Sequence, residues 1–142
     1  MQHEQKEGRM TGEKILIVED DVLIAADLED IVTTLGYDIS GIADSFETAQ
    51  QLAPFSTIAL VDVNLRDGAT GPRIGQYLAS DFGVAVVMVT GSPELIETDL
   101  LKVIGLISKP AHPNLIRDVL EYLRTIREGE RGIPPGGMRL FA

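Results

Sequence analysis

Thr57-Ile58-Ala59-Leu60-Val61-Asp62 is an apolar run of strand length that ends in a carboxylate. Other runs repeat the design. Ile15-Leu16-Ile17-Val18 precedes Glu19 and Asp20, Val84-Ala85-Val86-Val87-Met88-Val89 precedes Thr90, and Val103 to Ile107 leads through Ser108 to Lys109-Pro110. Nearly continuous Val/Ile/Leu runs are what parallel strands covered on both faces require. In an open parallel sheet the carboxyl ends of neighbouring strands converge on one crevice, where ligands bind at the topological switch point. The runs therefore predict one site containing Glu19, Asp20, Asp62, Thr90 and Lys109.

Helical signals separate the runs. Ile24, Leu28, Ile31 and Leu35 recur at helical spacing, and Gly36 stands where a C-cap glycine belongs. Tyr37 to Ile42 reads as a second strand. Asp44 and Glu47 have the spacing of a capping box for a helix carrying Phe46, Ala49 and Leu52, which Pro54 ends. Asp67-Gly68 marks a loop, and Ile74, Tyr77 and Leu78 mark a third helix with Gly75 inside it. Ser92-Pro93-Glu94 resembles the start of a short fourth helix, and Leu115, Val119, Leu120, Leu123 and Ile126 form the stripe of a last helix that starts near Pro113. The alternation βαβαβαβαβα predicts an α/β doubly wound parallel sheet of the flavodoxin-like (βα)5 kind, with strand order 2-1-3-4-5.

Composition narrows the functions. The 142 residues suit one domain, expected over 13–127, with a polar tail at 1–12 and a tail at 128–142 whose Gly132, Pro134, Pro135, Gly136 and Gly137 favour looseness and whose only apolar anchor for packing on the domain would be Leu140-Phe141. No apolar stretch approaches the roughly 20 residues needed to span a bilayer, so a cytoplasmic protein without membrane insertion is expected. A chain without cysteine has no disulfide and no thiolate chemistry, and His3 and His112 are too few for a zinc site. The formal net charge of −10 repels phosphates, so direct nucleic acid binding is not expected.

The strand-end residues point to a particular chemistry. Carboxylates held about 5 Å apart repel by roughly 3 kcal/mol per ionised pair at an effective dielectric of 20, so the site must recruit a cation or protons. Mg²⁺ suits such a site, because it is a hard ion that takes one or two carboxylates, keeps waters and accepts phosphate. Lys109 offers a point charge and Thr90 a hydroxyl for phosphoryl oxygens. Together these are the parts of a phosphoryl-transfer site in which an aspartate can be the covalent acceptor. Simpler roles fit other residues. Asp21 suits the N-cap of the first helix, His112 an exposed helix start, and Arg117, Arg124 and Arg127 the solvated face of the last helix.

At this point the chain resembles the receiver domains of two-component response regulators. The matching segments are Ile15-Leu16-Ile17-Val18-Glu19-Asp20-Asp21, Leu60-Val61-Asp62-Val63-Asn64-Leu65 with Asp67-Gly68, Val87-Met88-Val89-Thr90-Gly91, and Ser108-Lys109-Pro110, in order over about residues 13–127. The resemblance implies that Asp62 is the phosphoacceptor, supplied by a histidine kinase or a histidine phosphotransfer protein. It further implies Mg²⁺ bound directly by Asp20, through water by Glu19, and by Asp62 and the backbone carbonyl of Asn64, with Thr90 and Lys109 on phosphoryl oxygens and a cis Lys109-Pro110 peptide. Output through an unidentified downstream protein is expected, from a monomer or a phosphorylation-dependent homodimer.

One position departs from the family pattern. Receivers usually carry Tyr or Phe three residues before the lysine, where this chain has Leu106. The Thr90-Gly91 pair and the missing aromatic are similar to a subgroup of alphaproteobacterial receivers that work with histidine kinases of the HWE/HisKA2 type. Two other readings fit less well. A haloacid dehalogenase type of phosphatase would need an acid where Asn64 stands, and a phosphorylation-independent interaction domain would be expected to lack Asp62 or Lys109.

Overall fold

The computed structural model of the chain describes residues 12–65, 68, 70–96 and 100–141. The apolar runs become strands, in chain order β1 (Lys14–Val18), β2 (Asp38–Ala43), β3 (Ile58–Asp62), β4 (Ala85–Thr90), β5 (Gly105–Ser108) and β6 (Met138–Leu140). They form one six-stranded sheet of order β2-β1-β3-β4-β5-β6, with β1 to β5 parallel and β6 antiparallel to β5. The expected order 2-1-3-4-5 is present, extended by one strand.

Among the described residues four α-helices cover the sheet: α1 (Val22–Thr34), α2 (Phe46–Leu52), α3 (Gly71–Phe82) and α4 (Pro113–Arg127). Successive strand residues point to opposite faces, which divides the core in two. Ile15, Ile17, Leu60 and Val87 pack with Leu28 of α1 and Leu120 of α4, while Leu16, Val61, Val86 and Met88 pack with Ala49 of α2 and Leu78 of α3. Each fully buried Ile or Leu stabilises the fold by roughly 1.5–3 kcal/mol. Helix ends follow local chemistry. The Asp21 carboxylate accepts the amides of Leu23 and Ile24 at the start of α1. At its end Gly36 has φ 99°, while its N–H bonds Thr33 and the Tyr37 N–H bonds Val32, a paired closure that satisfies the last carbonyls.

Several expectations change. The inward stripe of α1 is Ala25, Leu28 and Val32, and Ile24 lies outside it, 37% exposed. The capping box of α2 is formed by Ser45 and Thr48 instead of Asp44 and Glu47, because Ser45 is the last extended residue (φ −158°, ψ 170°). The fourth expected helix is a 3-10 turn at Pro93–Leu95 among the described residues. Ser92 makes no side-chain cap, and the continuation at 97–99 lies outside the described residues. The C-terminal tail is not loose at its end, since Met138 is buried and β6 pairs with β5. Arg127 is more than a solvated residue: its Nε donates to the buried Glu13 carboxylate at 2.8 Å. The expected tail at 1–12 falls almost wholly outside the described residues.

Gly71 ties α3 to the end of β3. A Cβ at this position would meet the Asp62 carbonyl oxygen directly and would lie 2.6 Å from that of Val63. Backbone atoms there have no room to give, so Gly71→Ala is expected to destabilise the protein by about 1–3 kcal/mol, read as a lower urea midpoint at unchanged slope.

Candidate functional site

Parallel pairing in register sets the site. Val18 pairs with Val61 and Asp62 with Val89, so the residues that follow β1, end β3 and end β4 reach the same rim of the sheet. Glu19, Asp20 and Asp62 each bring a carboxylate oxygen within 4.8 Å of the others. Glu19 and Asp62 are 3% and 6% exposed, so their charges have little water to solvate them. Lys109, just beyond β5, answers both. Its Nζ lies 3.1 Å from Glu19 Oε1 and 3.3 Å from Asp62 Oδ2. The peptide joining Lys109 to Pro110 is cis.

Backbone amides complete the shell. The Asp21 N–H donates to Glu19 Oε2 at 3.1 Å, and the Asn64 N–H donates to Asp62 Oδ1 at 3.2 Å. Thr90 is buried beside them, and its carbonyl accepts the Lys109 N–H at 2.8 Å. Its hydroxyl is engaged with the Ser92 N–H at 3.0 Å rather than with a carboxylate. The strand-end residues therefore converge, with Thr90 held in the wall by its neighbours. Gly91 borders open space, with nothing within 4 Å of a Cβ built on it.

Charge and burial pull against each other. Burial is the largest influence on Glu19 and raises its pKa. The Asp21 amide and Lys109 pull it back, the charge of Asp62 adds to the rise, and the net result lies above 4.5. Burial alone would lower the Lys109 pKa, but its hydrogen bond to Glu19 and the charge of Asp62 outweigh that and hold it above 10.5. The ammonium therefore stays charged at neutral pH.

The sequence did not single out the rim around the site. Val22, Leu23 and Ile24 at the start of α1 are 76%, 81% and 37% exposed. Leu23 and Ile24 line a 320 Å³ groove with Val89, Lys109 and Pro110, and Val22 lines a 480 Å³ depression with Glu19, Asp20, Ile42 and Asp44. The available signal was the run Val22-Leu23-Ile24 itself, since consecutive apolar residues on a helix cannot all face one core.

The raised Glu19 pKa has a direct consequence. A group that titrates higher in the folded state favours folding below its unfolded pKa, and that contribution disappears as pH rises through the folded value. Glu19→Gln, compared with wild type by thermal unfolding in chelator between pH 4.5 and about 8, is expected to gain relative stability as pH rises and to lose that advantage toward pH 4.5.

No protein-family model matches the chain. The phyllosphere-induced regulator PhyR of Methylorubrum extorquens AM1 is 33% identical over 122 residues, which are 83% of this chain and 46% of that protein. The chain thus spans about half the length of the curated relative it matches. The solution structure of the PhyR response regulator REC domain of Erythrobacter litoralis is 27% identical with a TM-score of 0.73, covering 85% of this chain and 96% of that one. The response regulator PhyR of Brucella abortus is also 27% identical, with a TM-score of 0.74 over 82% of this chain and 49% of its own. With the sheet order and the four sequence segments, these likenesses show what kind of domain this is: a receiver domain of the response-regulator type.

Proposed function

We propose that Asp62 accepts a phosphoryl group from a phosphohistidine on a histidine kinase or histidine phosphotransfer protein, and that the phosphorylated domain signals by binding a downstream protein. The observation that carries this reading is the meeting of Glu19, Asp20 and Asp62 within 4.8 Å under the Lys109 ammonium. An Asp62 oxygen attacks phosphorus. One P–O bond forms as the donor's P–N bond breaks, and the imidazole departs with the electron pair. Lys109 can turn from the Asp62 carboxylate to a phosphoryl oxygen while keeping Glu19, and the Thr90 hydroxyl is the donor nearest the end of β4. The apolar rim of Val22, Leu23 and Ile24 beside the site offers a surface for the histidine-bearing partner.

The residues fit Mg²⁺. The donors are all oxygens, as a hard ion prefers, and their charge exceeds what Lys109 alone neutralises. Glu19, Asp20, Asp62 and the carbonyl of Asn64 would hold the ion, which when bound supplies positive charge opposite the phosphoryl oxygens. Among the described residues no helix is long and apolar enough to cross a membrane.

Intact-protein mass after incubation with acetyl phosphate tests the reading. A single phosphoryl adduct is expected that requires Mg²⁺ and is absent from Asp62→Asn. No adduct, together with no Mg²⁺-dependent binding of beryllofluoride, would overturn it. Gly91 gives a separate check, because an added side chain there meets nothing within 4 Å at its Cβ. Gly91→Val is expected to leave stability within about 0.5 kcal/mol and to slow loss of the phosphoryl group by crowding the space open to water. The two effects are read by urea unfolding and by the decay of the adduct.

A further inference from the structure

β6 is seated in a prepared place. A Cβ at Gly105 of β5 would lie 2.6 Å from the Arg139 carbonyl oxygen, so the strands approach this closely only because position 105 has no side chain. Cβ atoms at Gly132 and Gly137 would stand 3.0 Å from the Tyr122 ring and 3.1 Å from Leu115 Cδ1 on α4, so the connection is also fitted to its support. Met138 is buried and the Phe141 N–H donates to the Ile104 carbonyl at 2.9 Å, while Arg139 and Leu140 are exposed. A three-residue strand with one buried side chain belongs to the low end of local stability.

A continuous set of hydrogen bonds joins this strand to the site. Thr90 Oγ1 accepts the Ser92 N–H at 3.0 Å. The Ser92 carbonyl accepts the Leu95 N–H at 3.0 Å, and the Pro93 carbonyl accepts the Ile96 N–H at 3.2 Å, which closes the 3-10 turn. The Ile96 carbonyl then accepts Arg139 Nη2 at 2.6 Å. One short turn therefore separates the Thr90 hydroxyl from the guanidinium that anchors β6.

We infer that β6 is a cis-acting strap on the edge of β5, held through Arg139 while Thr90 is engaged with Ser92 and released when the site is occupied. The inference rests on the phosphoryl reading above, because it takes a ligand at Asp62 to draw the Thr90 hydroxyl inward. Once Thr90 turns, the Ser92 N–H loses its acceptor and the 3-10 turn must rearrange to satisfy it. Ile96 then no longer presents its carbonyl to Arg139. Without that anchor β6 is held by the Met138 side chain, the partly buried Phe141 and a three-residue ladder, and its departure uncovers the hydrogen-bonding edge of β5. The two-state element that coupling requires is β6 itself, paired or unpaired.

Beryllofluoride with Mg²⁺, added to the full chain, separates the possible outcomes. Fluorine NMR reports bound beryllofluoride, and amide hydrogen exchange in the same sample reports the Phe141 N–H. The expected result is a bound fluorine signal, Phe141 exchange accelerated about tenfold or more, and unchanged exchange in β1 and β3. A bound signal with unaltered Phe141 exchange would overturn the strap and leave the phosphoryl reading standing; no bound signal would overturn both. Coupling is reciprocal, so Arg139→Gln, which removes the anchor from an exposed position, is expected to bind beryllofluoride roughly tenfold more tightly. Unchanged affinity in a folded variant would count against the strap.

Discussion

Two buried carboxylates, Glu19 and Asp62, share one ammonium, and the organisation of the domain follows from that arrangement. A carboxylate withdrawn from water costs several kcal/mol unless a partner replaces the lost solvation. Here the partner comes from a distant part of the chain, 90 residues beyond Glu19. β1 and β3 must be adjacent and in register for the acids to meet, and β5 must end at the same rim for Lys109 to reach back across β4. The parallel order of the sheet satisfies all three conditions. The net charge of the cluster is still negative, which suits the site to a cation.

The surroundings hold this pair in place. Gly71 sets the first turn of α3 directly on the backbone of Asp62 and Val63, and its N–H bonds the Val63 carbonyl at 3.2 Å. One turn later Gly75 lets α3 approach β4, where a Cβ would lie 2.9 Å from Met88 Sδ. The Gly71 contact leaves the end of β3 little freedom. The wall at Thr90 is built differently, from a 3-10 turn whose outer residues Glu94 and Leu95 are exposed. The site thus has a closely packed floor and a wall with exposed outer residues, and that wall connects through Ile96 and Arg139 to β6.

The replacement of the usual aromatic by Leu106 fits this division. Leu106 is 2% exposed, pairs with Met88 on one side and Arg139 on the other, and packs in the core layer beneath α2 and α3. A buried leucine flanked by strands on both sides is held in place from either side. The Arg139 contact to Ile96 lies on the exposed side of the same neighbourhood.

Sequence alone determined the five parallel strands, their order and the residues that converge at the rim. Buried parallel strands must be continuous apolar runs, and such a sheet brings its carboxyl ends together whatever the loops do. The N-cap at Asp21 and the glycine closing α1 were legible because they depend on residues within one turn. Tertiary structure decided the rest. The residue types at 44/47 and at 45/48 both suit a capping box, and only the backbone at Ser45 selects the frame. Which α1 side chains face inward depended on where the sheet lies, so Ile24 went to the rim and Ala25 to the core. Met138-Arg139-Leu140 carries no strand signal of its own, and it became a strand because β5 had an open edge and Gly105 a vacant side-chain position. Each of these outcomes rests on contacts between distant parts of the chain, whose energies local sequence pattern does not contain.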